Sequence, residues 1–498
     1  MFILTRCVLL IGSLLFFLIG VGFQNPKVLL IATLIIFSHN IIYSLNKFFE
    51  KIIFFCFNVT FFIFLIGRMI VTEFFGYKSN LLGVFGLAFS DLEIVNVVII
   101  CLYLSLLAIY IGYVLIQKID LSFLKQKKEL NPGYVNALRL FSLMFFFFSM
   151  VFRLIYVYQM QQAAVTEGYF ESFANFRSSL PGVLETISRM YDVAFFAYLA
   201  TMPSKKRSFF PVMLYIVEGF LSALAGRRSI FMLNLLIVFI YYCVRSITTK
   251  KKDPTNQVIK KERKWFGKFE WILGIVALPV LLTFMTVIGK LRSSNWQSTE
   301  KISFLDSIYE FFYTQGISVN LIGYTQLYGN SLPEGKWYTF GPLFEFVDNR
   351  IIRPIAGMPE LFGQTVERAI DGYLYAHALS YVIMPDLYLK GVGYGSSYLA
   401  ELFKDFSFTG VFVGSIVYGA LIYVLFYMLK NSNYILIIFT LMMIRSLLFA
   451  PRGAYLSFIV SSFSMPKILA VIFIIIGAKL LYSLIGNRKM KFKRITWN

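Results

Sequence analysis

The chain has 498 residues, 58% of them hydrophobic and 15% charged, with a mean hydropathy of +0.71. Soluble domains carry about 25% charged residues, so a soluble enzyme is excluded, and apolar runs of spanning length point to an integral membrane protein. A net charge of +21 would suggest nucleic acid in a soluble protein. Here the lysines sit between apolar runs, so membrane orientation accounts for them and no nucleic-acid partner is expected.

Run length predicts an all-α protein of about twelve spanning helices. The first four lie at 3–21, 28–44, 52–71 and 94–116. The first lacks a small-residue cleavage site and a second span follows at once, so it reads as a retained helix and not a signal peptide. The next five are 135–158, 183–201, 209–225, 230–244 and 271–289, and only Gly226, Arg227, Arg228 and Ser229 separate the seventh from the eighth. A long mixed segment follows, then spans at 409–429 and 434–450. The last apolar stretch, 454–484, is too long for one plain span and contains Pro466, so a broken or re-entrant helix is expected there. The chain thus divides into a transmembrane bundle at 1–290, a large loop domain at 291–405, and C-terminal membrane helices with a basic tail at 406–498.

The four cysteines, Cys7, Cys56, Cys101 and Cys243, all fall in apolar runs without metal-ligand spacing. They read as small core residues, with no disulfide framework, metal or cofactor implied. There is no phosphate-cradling glycine loop, and the first external loop, 22–27, has no acid. The paired-acid motif of enzymes that use polyprenyl-phosphate sugars is therefore missing from it.

Lysine sets the orientation. With both termini in the cytoplasm, the inner side receives Lys47 and Lys51, Lys118 to Lys128, Lys205 to Arg207, the run from Arg245 to Lys268, and the tail from Arg488 to Arg494. That is the positive-inside pattern, and it puts the mixed segment 291–405 on the outer, periplasmic face. Arginine behaves differently. Arg68, Arg153, Arg177, Arg189, Arg227, Arg228, Arg292, Arg350, Arg353, Arg368, Arg445 and Arg452 lie on the outer side or just below it. Arg153 and Arg445 are roughly 8 Å below the outer ends of their spans. Charge inside a membrane is costly and needs a partner or a job. A lone arginine near a helix end can snorkel; several together suit a pyrophosphate, which the planar guanidinium binds through paired hydrogen bonds.

The mixed segment is roughly 115 residues long, far beyond an ordinary connection. Residues 300–327 carry apolar side chains at helical spacing and either lie on the membrane or pack on span ends. Arg350 and Arg353 share a face if their stretch is helical. His39 sits within the second span and reads as structural. His377 lies with the arginines and could take a proton from a sugar hydroxyl. Glu401 and Asp405 are one helical turn apart where the chain returns to the membrane; a carboxylate there could serve as a base or bind sugar hydroxyls. Trp296, Trp337 and the many tyrosines suit sugar rings and interfacial belts equally.

Three stretches, LSALAGRRSIFMLNLLI (221–237), FFYTQGISVNLIGY (311–324) and GVGYGSSYLAELFKDFSFTGVFVGSIVYG (391–419), together with the span plan, resemble the bacterial O-antigen and capsule repeat-unit polymerases of the Wzy type. The resemblance implies a metal-independent membrane glycosyltransferase of the bacterial inner membrane, active in lipopolysaccharide or related polysaccharide synthesis. It would transfer a growing glycan from undecaprenyl pyrophosphate to the non-reducing end of another lipid-linked repeat unit. It implies an undecaprenyl-pyrophosphate-linked oligosaccharide, the lipid bilayer and a chain-length regulator as partners, and no cofactor. Glu401 and His377 are the expected catalytic residues, and Arg153, Arg227, Arg228, Arg292, Arg353, Arg445 and Arg452 the expected pyrophosphate and substrate ligands. A lipid-linked oligosaccharide flippase and an O-antigen ligase are the competing readings.

Overall fold

The structure, a computed structural model, describes residues 2–78, 89, 91–121, 124, 131–166, 176–248, 265–267 and 304–495, of which 2, 248, 304 and 486–495 contribute backbone only. All regular structure among the described residues is helical. In chain order come α1 (Phe2–Gly22), α2 (Pro26–Leu45), α3 (Ile52–Phe61), α4 (Gly67–Glu73), α5 (Leu92–Ile116) and α6 (Pro132–Thr166). Then follow α7 (Gly182–Ser188), α8 (Tyr191–Ala200), α9 (Lys205–Leu224) and α10 (Arg228–Thr248). The mixed segment forms α11 (Phe304–Gln315), α12 (Asn320–Tyr328), α13 (Gly341–Val347), α14 (Val366–Ile370), α15 (Tyr375–Ile383) and α16 (Pro385–Leu389). The chain closes with α17 (Tyr398–Met428), α18 (Tyr434–Leu447), α19 (Ser457–Ser462) and α20 (Met465–Ile495).

Local chemistry sets several boundaries. Asn25 caps α2 by accepting from the backbone N–H of Lys27 and Val28, with Pro26 at the first turn. Asp91 caps α5 through the N–H of Glu93, and Thr365 caps α14 through that of Arg368. Each satisfies a donor that the first helical turn leaves unpaired.

Nine helices among the described residues are long and apolar enough to cross a membrane. The other expected spans differ. The stretch 183–201 breaks at Arg189 and Met190 into α7 and α8, and 434–450 forms only the 14-residue α18 before a 3₁₀ turn at Ala450–Arg452. The stretch 271–289 lies outside the described residues, as do Arg292 and Trp296. The expected break near Pro466 is present, at Phe463 and Ser464.

The chain folds into two compact units. Unit 1 comprises Met1–Ile119, Phe266–Val424 and Ser446–Val460; unit 2 comprises Asp120–Trp265, Leu425–Arg445 and Ser461–Asn498. In unit 1, α5 and α17 touch through their backbones. A Cβ on Gly112 would lie 2.0 Å from the Ile416 carbonyl oxygen, and one on Gly419 would lie 2.1 Å from that of Ile109. Small residues permit such approach where lipid supplies no hydrophobic drive. Beside this contact the Ser105 hydroxyl bonds Tyr398 (2.6 Å) and Ser415 (2.8 Å).

A π turn at Phe62–Ile66 joins α3 to α4. Just beyond it, Arg68 is 1% exposed; it donates to the Tyr313 carbonyl (2.8 Å) and lies over the Tyr313 ring. Gly67 meets Phe312 and Gly316 meets Arg68 without room for a Cβ, so α11 is packed on the end of α4. Arg68 therefore cements this contact.

In unit 2, α6 runs beside α8, α9 and α20, and α9 beside α10. Gly477 of α20 faces the Phe141 ring of α6 with no space for a side chain.

Candidate active site

Unit 2 holds a buried polar network where the sequence predicts isolated arginines. Glu218, in α9, has no exposed surface. One carboxylate oxygen accepts from Arg153 Nε of α6 (2.8 Å) and from the Ser222 hydroxyl (2.8 Å). The other accepts from the Tyr191 hydroxyl of α8 (3.0 Å) and from Asn234 Nδ2 of α10 (3.2 Å). Asn234 in turn accepts from Arg445 of α18, through Nε (3.3 Å) and Nη2 (3.0 Å). A second pair sits where helices break: Asp192 starts α8, and its carboxylate lies 3.9 Å from Lys467 Nζ of α20.

Arg227 and Arg228 form the turn between α9 and α10. Gly226 closes α9 at φ +106°, a conformation that favours glycine. The Arg227 N–H then donates back to the Ser222 carbonyl (2.9 Å), so the arginine pair starts one turn from the Glu218 network. Arg227 Nε is buried with no hydrogen-bond partner among the described residues.

Unit 1 holds the two candidate catalytic residues. Glu401 lies in the first turn of α17, on a short arm. At Ser407 the helix kinks, with φ +55° and ψ −151°, before the spanning part begins. Glu401 is 1% exposed. It accepts from the Ser396 hydroxyl (2.6 Å) and from the Tyr455 N–H (2.8 Å). Tyr455 is also held through its ring, stacked on Tyr418, and through its hydroxyl, which donates to Gly414 (3.0 Å). Asp405 accepts from the Thr339 N–H (2.6 Å) and pins α17 to the start of α13's turn. Arg452 Nη1 reaches Gln315 Oε1 (3.4 Å).

The mixed segment is knitted by its own charges. Arg368 donates twice to Glu345 (2.7 and 3.0 Å), whose second oxygen accepts from the Tyr373 N–H. Arg353 is spent on Asp348 (2.8 Å) and the Pro359 carbonyl (2.9 Å). Arg350 pairs with Glu360 at 3.2 Å. Arg350 lies in a π turn at Asp348–Ile352 and Arg353 begins the short helical turn Arg353–Ile355; the two arginines take different partners and do not form a common face.

His377, on α15, is tied to the α16 side chain Tyr388, Nδ1 to hydroxyl at 2.9 Å. Tyr388 donates its only proton to the Thr365 carbonyl (3.2 Å), so it accepts from the ring. The tautomer that satisfies both contacts carries its proton on Nδ1 and presents a lone pair at Nε2. Burial, and then the Arg368 charge, lower its pKa from 6.5 to about 4, which keeps the ring neutral at physiological pH. Burial pushes the Tyr388 hydroxyl up to about 12, so it stays protonated. The Tyr394 N–H donates to Ser380 of α15 (3.0 Å), linking the His377 helix to the irregular stretch that leads into Glu401.

Among the described residues no three of His, Cys, Asp and Glu are grouped to hold a metal. Of the expected ligands, Arg153 and Arg445 share one network, Arg227 and Arg228 start beside it, and Arg353 is neutralised within the loop. Glu218, Asp192, Asn234 and Lys467 are not among the residues predicted from sequence. The available signal was an acid inside an apolar run, which burial requires to be paired.

These features define the class: a multi-pass membrane protein, all-helical among the described residues, with buried arginine–carboxylate chemistry and a folded, hydrogen-bonded segment between its spanning helices. The O-antigen polysaccharide polymerase Wzy family matches residues 5–484, nearly the whole chain, and the chain belongs to it. It is accordingly a membrane enzyme that polymerises O-antigen repeat units. Comparison with curated proteins and with solved structures gave no match.

Proposed function

We propose that the chain transfers a growing glycan from undecaprenyl pyrophosphate to a hydroxyl at the non-reducing end of the next lipid-linked repeat unit, on the periplasmic face of the bacterial inner membrane. The acceptor oxygen bonds to the anomeric carbon, its proton passes to His377 Nε2, and the anomeric C–O bond breaks. Undecaprenyl pyrophosphate leaves with the electron pair. The observation that carries the site assignment is the His377–Tyr388–Thr365 chain, since a general base must be unprotonated and correctly oriented. Arginines supply fixed positive charge where the leaving group becomes more negative, and we propose that this replaces a metal. Both Glu401 oxygens are engaged, so we give it a positioning role: it holds the 396–401 turn against Tyr455.

The test uses the full-length chain in detergent with a polyprenyl-pyrophosphate-linked repeat unit and a chelator. A ladder of products one repeat apart is expected. His377→Gln should slow its formation at least about 100-fold. A wild-type ladder from His377→Gln would remove the base, and a ladder abolished by the chelator alone would remove metal independence.

A further inference from the structure

Two arginines of unit 2, Arg153 buried and Arg445 half-buried, have opposite situations. Arg153 meets a carboxylate, Glu218, at 2.8 Å. Arg445 hydrogen-bonds the amide oxygen of Asn234, at 3.0 and 3.3 Å, and among the described residues no carboxylate lies within ion-pair distance of it; Asp192, Glu218 and Tyr215 act on it from further away. Asp192 is matched with Lys467. Three cations, Arg153, Arg445 and Lys467, thus share two carboxylates, and among the described residues Arg445 is the one with neither at ion-pair distance.

We propose that Asn234 and Glu218 are positioning residues that aim Arg445, held by an amide where Arg153 is held by a carboxylate, at the pyrophosphate of the lipid-linked substrate, while Arg153 is a strut. The inference rests on the pyrophosphate-transfer reading above.

The geometry explains why position 234 is an amide. Asn234 Nδ2 donates to Glu218 (3.2 Å) and to the Tyr215 carbonyl (3.1 Å). A carboxylate and a carbonyl only accept, so the NH₂ end must face them, and the oxygen end must face Arg445. Glu218 is itself immobilised by Arg153, Ser222 and Tyr191. Gly219 makes room: a Cβ there would sit 2.9 Å from Asn234 Nδ2. An aspartate at 234 would also orient Arg445, but it would neutralise it. The amide fixes the direction of the guanidinium and takes only two of its five N–H bonds, leaving a forked, charged face for phosphate oxygens. A charge inside a membrane body with no carboxylate beside it is costly, and a ligand of opposite charge compensates it.

The test moves one negative charge without changing the total. In the double variant Glu218→Gln/Asn234→Asp, the carboxylate faces Arg445 and the amide faces Arg153. The full-length chain in detergent is titrated with geranylgeranyl pyrophosphate and with geranylgeraniol, and thermal unfolding of each variant is followed. The wild-type chain is expected to prefer the pyrophosphate by about tenfold or more. The swap, like Arg445→Ala, should abolish most of that preference. If Arg153 were the ligand, the swap would release it and binding would tighten; tighter or unchanged binding overturns the proposal. Should the swap fail to fold, Asn234→Leu removes the aim without adding charge, and unchanged preference in it overturns the proposal equally. A wild-type chain that does not distinguish pyrophosphate from alcohol would instead overturn the transfer reading itself.

Discussion

At the scale of single residues, the site is a matter of which charges are cancelled. Arg68, Arg153, Arg353 and Arg368 all have carbonyl or carboxylate partners that fix them in place. His377 is the reverse case, a base kept neutral. Its pKa is lowered in the folded chain, so the unfolded chain binds a proton between pH 6.5 and about 4 that the folded chain does not. Stability must therefore fall as pH drops through that window, by up to about 3 kcal/mol from this group. His377→Gln, which does not titrate, should show a shallower loss of thermal stability between pH 7 and pH 4.5 than the wild-type chain. Parallel curves would mean that His377 titrates normally in the fold.

At the scale of elements, helices are broken where polar groups are needed and kept close where they are not. The breaks at Arg189, Ser407 and Phe463 lie beside Asp192, Glu401 and Lys467 respectively. Elsewhere, glycine allows α5 and α17 to touch. Gly112→Ala and Gly419→Ala each force that pair apart, and overpacking of this kind costs about 1–3 kcal/mol. One separation relieves both clashes, so the double variant should be little worse than either single one. Gly12→Ala, whose Cβ meets nothing within 4 Å, is the neutral control. Melting temperatures of the purified chains in detergent decide the matter, and strict additivity would show that the two glycines act on separate contacts.

At the scale of the whole molecule, lysine distribution predicts both termini inside and the mixed segment outside. Asp386 and Lys206 are exposed positions on the two opposite sides in this scheme. In a chain with Cys7→Ser, Asp386→Cys should react with a membrane-impermeant maleimide from the periplasmic side. Lys206→Cys should react only once the cytoplasmic side is opened. The reverse pattern would invert the topology and place His377 on the wrong face for a periplasmic acceptor.

The sequence by itself determined the solvent and the element type. Apolar runs of spanning length leave the backbone no alternative to helices in lipid, and the motifs around Arg227 and at 391–419 carried the family resemblance. It also marked the arginines as anomalous, because charge in an apolar run is visible without coordinates. What it did not determine was which arginines are neutralised. That depends on Glu218, Asn234 and Ser222 meeting Arg153 and Arg445 across four helices, 65 to 211 residues apart in the chain. Likewise the tautomer of His377 depends on a tyrosine and a carbonyl from two other elements. Helical periodicity is a local property, written in neighbouring residues; charge compensation and hydrogen-bond direction belong to contacts that exist only once distant helices have packed.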